Sequence, residues 1–441
     1  MKVKTFALTA LVAMLLLTLV PGCGSNKSNE GAASSPSNTG ESAPSSADTG
    51  GSAAPEKKDV TIKIFQFKVE IAEALQRMAE EYEKETGVRV EVETHGGGED
   101  YGALLKAEFA SGSEPEIFNS GGFSALELYL DRAEDLTNEP WAAHLIPAAK
   151  VPVTVDGKLY GMPMNIEGYG FAYNKDLFAK AGITGEPQTL PELAEAVKKL
   201  KDAGITPFMA TNEWWSLGIH LVNVGLAYQP DPAKFIEDLK AGNATFKDNA
   251  VFKDWLDLVD LIFNNAQKNM LTTDYATQVA EFAAGKAAMI QQGNWIQGDV
   301  DNVDPNLNLG VLPIPINDQP GHVFVGVPNN WIVNKKSKHP DEAKKFLEWM
   351  VTSETGKRYL VKEFKFMPAF DNIGATAEDI GDIAVGVKEK AGDALGWQWD
   401  RFPDGVTQGF GAAMQEYQGG RISREELLEK LDKAVQDIVK K

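Results

Sequence analysis

Nine tryptophans, a few amides and a scatter of carboxylates are the residues with chemistry to offer in this 441-residue chain. Trp215 in TNEWWS and Glu167 in MNIEGYG fall in or beside polar clusters. Trp295 follows MIQQGN, Asn330 sits in PNNW and Trp399 in GWQWD. Gln66 and Asn119 stand at the ends of two short strand-like runs. Flat rings beside fixed polar groups suit a ligand with hydroxyl edges and a mildly apolar face, held in a cleft.

Reactive chemistry has less support. THGGGED (94–100) is similar to the oxyanion loop of esterases, but the chain contains no Gly-x-Ser-x-Gly. DVDNVD (299–304) has the acid density of a calcium loop with the wrong offsets: Asp304 falls where glycine is needed and Gly310 where glutamate is needed. The five histidines are dispersed and none share a helical metal-binding spacing, so neither metal nor cofactor is expected. Glu167 with Asp400 is the carboxylate pair that a secreted glycoside hydrolase or lyase would need. No Gly-x-x-x-x-Gly-Lys loop is present, so any ATPase working with this chain must be another protein.

The single cysteine, Cys23, follows the basic start Lys2 and Lys4 and an apolar run from Phe6 to Val20. Gly22 supplies the small residue before a cut, which completes a secretory signal layout. The run is shorter than the roughly 18 residues of a spanning helix. From Gly24 to about Ala54 the chain is Gly, Ser, Ala, Pro, Asn and Thr almost throughout, too poor in apolar surface to fold, so a flexible tether is expected. Net charge is −20, which disfavours nucleic acid and anionic lipid as partners.

The elements that would position the candidate residues follow from periodicity. VTIKIFQF (60–67) reads as a strand, and 70–87 as a helix with Ile71, Leu75, Met78 and Tyr82 on one face and Gly87 as its cap. VRVEVET (88–94) alternates as a second strand, giving a right-handed β-α-β unit with parallel strands. A helix near 101–110 and a strand at PEIFNSGG continue an open α/β sheet, whose ligands bind beyond the carboxyl ends of the strands. That rule places Gln66 to Lys68 and Asn119 to Gly122 on the ligand-facing edge. Helices are expected at 191–203, 231–240, 248–268 and 274–284, and TNEWWS is expected to be a loop. Residues 322–334 read as one strand, 339–351 as a helix opened by Pro340, and Ser423 with Glu426 as a capping box on the last helix. Trp255 and Trp349 lie on apolar helix faces and read as packing residues, as does Trp141.

Four segments carry a family resemblance: YEKETGVRVEV, GKLYGMPMNIEGYGFAYNKDLF, FAAGKAAMIQQGNW with VLPIP, and FVGVPNNWIVNKKSKHPDEAKKFLEWM. In order and spacing over about 380 residues the chain resembles the extracellular solute-binding proteins of sugar-importing ABC transporters. Val20-Pro21-Gly22-Cys23 resembles the lipobox of bacterial lipoproteins. The resemblance implies an α/β fold of two lobes with discontinuous chain, crossing between lobes near 165–167, 325–327 and 366–370. The implied division is a signal peptide (1–22), a tether (23–58), lobe I (59–165), lobe II (166–326), and return segments to lobe I (327–368) and lobe II (369–441). Cys23 would be lipidated, and the protein would sit outside the cytoplasm as a monomer. It would hand a saccharide of two or more rings to a membrane permease served by a separate ATPase.

By the same resemblance Glu167 matches a carboxylate that accepts hydroxyl hydrogen bonds, and Trp295 stands where the family places a stacking aromatic. Trp397, Trp399 and Phe402 fall where relatives supply another aromatic, although this sequence departs from the pattern there. Asn165, Glu213, Asn329 and Lys68 are weaker candidates. The alternatives are a binding protein for a polyamine, iron or a peptide, or the hydrolase already named. Tryptophans and amides outnumber the carboxylate sets or paired tyrosines those ligands would need.

Overall fold

The computed structural model describes residues 58–440. Cys23 and the stretch read as signal and tether, 1–57, lie outside the described residues. Strand β1 (Thr61–Gln66) buries Ile62 and Ile64 and runs parallel to both β2 (Arg89–Thr94) and β3 (Ile117–Ser120). Between β1 and β2 lies helix α1 (Ala72–Thr86), which turns Leu75, Met78, Ala79 and Tyr82 inward and ends where Gly87 takes a left-handed φ of 74°. Each of those larger side chains contributes roughly 1.5–3 kcal/mol by leaving water. Helix α2 (Tyr101–Ser111) then leads to β3, its first turn capped by the Asp100 side chain on Ala103 N.

Two sheets result. The first has the order β2, β1, β3, then the strands Asn330–Val333 and Met162–Pro163. The second is built on the fully buried strand Glu167–Asn174, which pairs with Met289–Gly293, Phe324–Gly326 and Leu309–Leu312. Each sheet has its own hydrophobic core, so the molecule is a two-lobe α/β structure. The first core gathers residues from Ile62 to Met164 and from Val327 to Ile373, apart from Met367. The second gathers residues from Tyr169 to Phe324 and from Ile380 to Val435, together with Met367. Three passages of chain join the lobes. One runs from Met164 to Glu167, one at Val327 to Asn329, and one beyond Met367, which bridges back to Ile166.

The segment 322–334 is not the single strand its sequence suggests. Phe324–Gly326 belongs to one sheet and Asn330–Val333 to the other. Pro328 has no N–H to continue a ladder, so the break falls where the chain changes lobes. The expected loop at TNEWWS holds for Thr211 to Glu213, but its tryptophans start a helical segment. Trp214 and Trp215 open it, and a wide π turn over Ser216–Leu221 follows before the helix Val222–Ala227. The capping box at Ser423 and Glu426 is present as read. Among the described residues, no helix is long and apolar enough to cross a membrane.

A cleft between the lobes as the candidate functional site

At the carboxyl end of β1 the chain turns past Phe67 into Lys68, and at the other side of the first crossing stands Glu167. Lys68 Nζ is 2.7 Å from Glu167 Oε1, with both side chains only 4% exposed. Asn165 Nδ2 donates to the same oxygen at 3.1 Å. Burial alone would depress the Lys68 ammonium, but the carboxylates of Glu167 and Glu70 outweigh it and raise its pKa. The pair ties the first lobe to the root of the second.

Above it opens a cleft of about 330 Å³, lined from both lobes. The first lobe contributes strand ends and turns: Phe67 to Glu70, the glycines Gly96 to Gly98, and Asn119 to Gly121. This is the edge beyond the carboxyl ends of the parallel strands, where open α/β sheets bind ligands. The second lobe contributes rings. His220 lies 4.9 Å from Trp295, 5.3 Å from Trp215 and 5.5 Å from Trp399, centroid to centroid, and stacks on Tyr169 at 5.0 Å. Trp397 and Trp399 lie 4.4 Å apart.

The rings are held by a hydrogen-bonded spine. Trp295 Nε1 donates to Gln292, Gln292 to Gln278, and Gln278 to the Met209 carbonyl, each at 2.8–2.9 Å. Burial lowers the His220 pKa to about 3, so its ring is neutral, and Nδ1 has no hydrogen-bond partner among the described residues.

The lobes also touch around the cleft. Tyr275 Oη donates to Glu70 at 3.1 Å and to Asp299 at 3.4 Å, and Gly122 N donates to Asp400 at 3.2 Å. Lys106 pairs with Asp404. Burial and the facing Glu70 raise the Asp299 carboxyl to about 6. Burial raises Asp400 to about 7, against the single N–H of Gly122.

Of the residues expected from sequence, Glu167, Trp215, Trp295, Trp397, Trp399, Phe402 and Asn119 all line the cleft, as does Asn329. The Asn119 amide is already engaged, accepting from Phe67 N and donating to the Asn330 carbonyl. Two expectations need correction. Gln66 is fully buried off the cleft wall, donating to Lys68 O and Thr94 Oγ1 and accepting from Lys68 N. Asn330 is likewise buried, donating to Ser120 O at 3.0 Å. Strand alternation sends these amides inward, and the neighbouring residues Phe67 and Asn329 take the wall. Lys68, a weaker candidate from sequence, lines the cleft but is held by Glu167.

Sequence reasoning passed over His220 and Tyr275, and weighed the glycines after His95 only as an oxyanion-like loop. His220 lies in an apolar run without a motif, and its placement depends on the π turn. Trp255 and Trp141 are core residues as expected.

A family model described as bacterial extracellular solute-binding protein matches residues 68–357. Over 310 residues the chain is 26% identical to the multiple sugar-binding protein of Streptococcus mutans, covering 68% of this chain and 73% of that one. It is 24% identical over 367 residues to the melibiose/raffinose/stachyose-binding protein MelE of Bacillus subtilis, covering 79% and 78%. Among solved structures, a chitin oligosaccharide binding protein superposes with a TM-score of 0.75 at 24% identity, covering 87% of this chain and 99% of that one. The solute-binding protein RafE, solved with raffinose, gives 0.75 at 23%, covering 86% and 100%. Both superpositions show the same two-lobe fold.

Proposed function

The chain belongs to the bacterial extracellular solute-binding protein family, and on that premise we propose that it captures a saccharide in the interlobe cleft for an ABC importer. The observation that carries this reading is the ring wall of Trp215, Trp295, Trp397 and Trp399 facing a polar edge of strand ends across one cleft. A pyranose offers its C–H face to such rings and its hydroxyls to the edge opposite. The number of rings favours an oligosaccharide over a single sugar. The relatives named above bind sugars by their names, which supports the same class. No step of chemistry on the ligand is part of the proposal. Glu167 is neutralised by Lys68 and Asp400 is held by a backbone N–H, so neither is arranged as an acid–base pair.

The lobes are joined by three passages, and a ligand touching both binds the closed arrangement better than an open one; only that difference can shift the balance. The closed form would be what a membrane permease receives, with a separate ATPase supplying the energy. Cys23, lipidated after cleavage, would keep the monomer at the membrane surface. Fractionation of cells expressing Cys23→Ala tests the anchor, which requires the variant to move to the soluble fraction. A thermal-shift screen against mono- to tetrasaccharides tests the ligand class, since a ligand at 100 times its Kd stabilises by roughly 2.7 kcal/mol.

A further inference from the structure

The charges on the cleft wall are lopsided. Glu70, Glu99, Asp100, Glu167, Asp400 and Asp404 line it against one lysine, Lys68, and no arginine. Most of these carboxylates are already answered. Glu167 has Lys68, Asp404 has Lys106, Asp100 caps α2, and Glu99 faces His95 at 3.3 Å. Glu70 accepts from Tyr275 and lies near Lys68.

Asp400 is different. It accepts one hydrogen bond, from Gly122 N, and packs against Gly121 so closely that a Cβ there would come within 2.6 Å of its Oδ1. Among the described residues, no cation pairs with it. Arg401, next in the chain, lies over the Phe123 ring at 4.2 Å with its Nε on Gln398, and Lys106 is held by Asp404. Burial accordingly raises its pKa, as expected for a carboxylate short of a positive partner.

Aromatic rings line the same cleft as Asp400. Asp400 directly follows Trp399, which is paired with Trp397, and His220 closes on Trp399 from the second-lobe core. Aromatic faces attract a cation within about 6 Å, and more strongly where water is excluded. His220 is 92% buried, lines the cleft, and has no partner for Nδ1 among the described residues, so a polar ligand atom has a group to meet there. Because its ring is neutral, it adds no positive charge of its own.

We infer that the saccharide taken by this cleft carries a protonated amine, as a glucosamine or galactosamine oligomer does, and that Asp400 receives that amine. The inference rests on the sugar-binding reading above and narrows its substrate class. It equally disfavours uronates and other acidic sugars, which would meet Asp400 and Glu70 with like charge.

The test is titration calorimetry at pH 7.5, where a carboxyl raised to about 7 is mostly ionised, and at physiological salt with matched oligomers. Glucosamine and galactosamine di- to tetramers are compared with their N-acetylated and hydroxyl counterparts, and with spermine. The amine-bearing form of at least one pair should bind ten-fold or more tightly than its neutral counterpart, with spermine weaker. Asp400→Asn, checked for folding by circular dichroism, should erase the difference. Neutral members binding as tightly as amine-bearing ones would overturn the inference and leave the sugar reading standing. Spermine binding as tightly as the amino sugars would overturn it by showing bare charge attraction. No binding by any saccharide, neutral or amine-bearing, would remove the sugar reading and the inference with it.

Discussion

Lys68 Nζ and Glu167 Oε1 meet at 2.7 Å with almost no solvent access, joining the end of β1 to the first residue of the central strand of the other lobe. Removing one partner leaves the other charged, buried and unanswered. Lys68→Met is therefore expected to cost about 3–5 kcal/mol in urea unfolding. The double variant Lys68→Met, Glu167→Gln should recover much of that loss. Equal instability of single and double variants would show that packing, not charge, holds this junction.

Trp295 and Trp215 should part company in stability. Trp295 is 8% exposed, belongs to the second core and donates to Gln292, so it packs as well as faces the cleft. Trp295→Ala should lower the stability of the ligand-free protein by about 3–5 kcal/mol. Trp215 is only partly buried, standing edge-on to His220 and tilted against Tyr275. Its removal should cost less than half as much, measured by denaturant melts of the two variants side by side.

Gly218 sits in the π turn with its missing side chain aimed at another backbone. A Cβ there would lie 2.3 Å from Gly411 N and 2.6 Å from Thr407 O. Backbone cannot yield as a side-chain tip can, so Gly218→Ala should destabilise by about 1–3 kcal/mol. It should also displace His220 and Trp215, which the same turn carries, and so weaken ligand binding. A stable variant with unchanged binding would contradict this account of the turn.

Asp400 and Asp299 set a pH dependence whose sign is fixed. Both carboxyls are raised by burial, Asp400 to about 7 against Gly122 N–H and Asp299 to about 6 beside Glu70, with Tyr275 and Lys68 opposing. A raised acid keeps its proton in the folded state longer than in the unfolded one. Stability therefore falls as pH climbs from about 4 to about 7. Asp400→Asn holds that site neutral, so the variant should gain on the wild type across this window and keep a constant lead above it. A difference in Tm that does not change with pH would exclude Asp400 as its source.

The strands and helices that carry the site were legible because their signals are local. Alternation in VTIKIFQF and VRVEVET, the apolar face of α1 and the cap at Gly87 all follow from nearest neighbours. The break at Pro328 was legible too, had the missing N–H outweighed the apolar run around it. The cleft was half legible. Tryptophans outside helix faces pointed to the wall, yet which amide of Gln66-Phe67 or Asn329-Asn330 faces it depends on strand register, which a sequence leaves open by one residue. His220 and the π turn were not legible, because the turn is held by contact between Gly218 and Gly411, 193 residues apart in number (411 − 218). The Lys68–Glu167 pair is likewise a long-range contact, between two residues the sequence offered separately as ligand-facing candidates and not as each other's partner.

A saccharide bound in the interlobe cleft should lie against its ring wall. The most direct measurement is calorimetric titration of wild type and Trp215→Ala with oligosaccharides drawn from the thermal-shift screen. Wild type should bind one saccharide per chain saturably, and the variant should bind it more weakly by about 2 kcal/mol, or roughly 30-fold. Binding that survives Trp215→Ala unchanged, or no binding of any saccharide by folded wild-type protein, would contradict it.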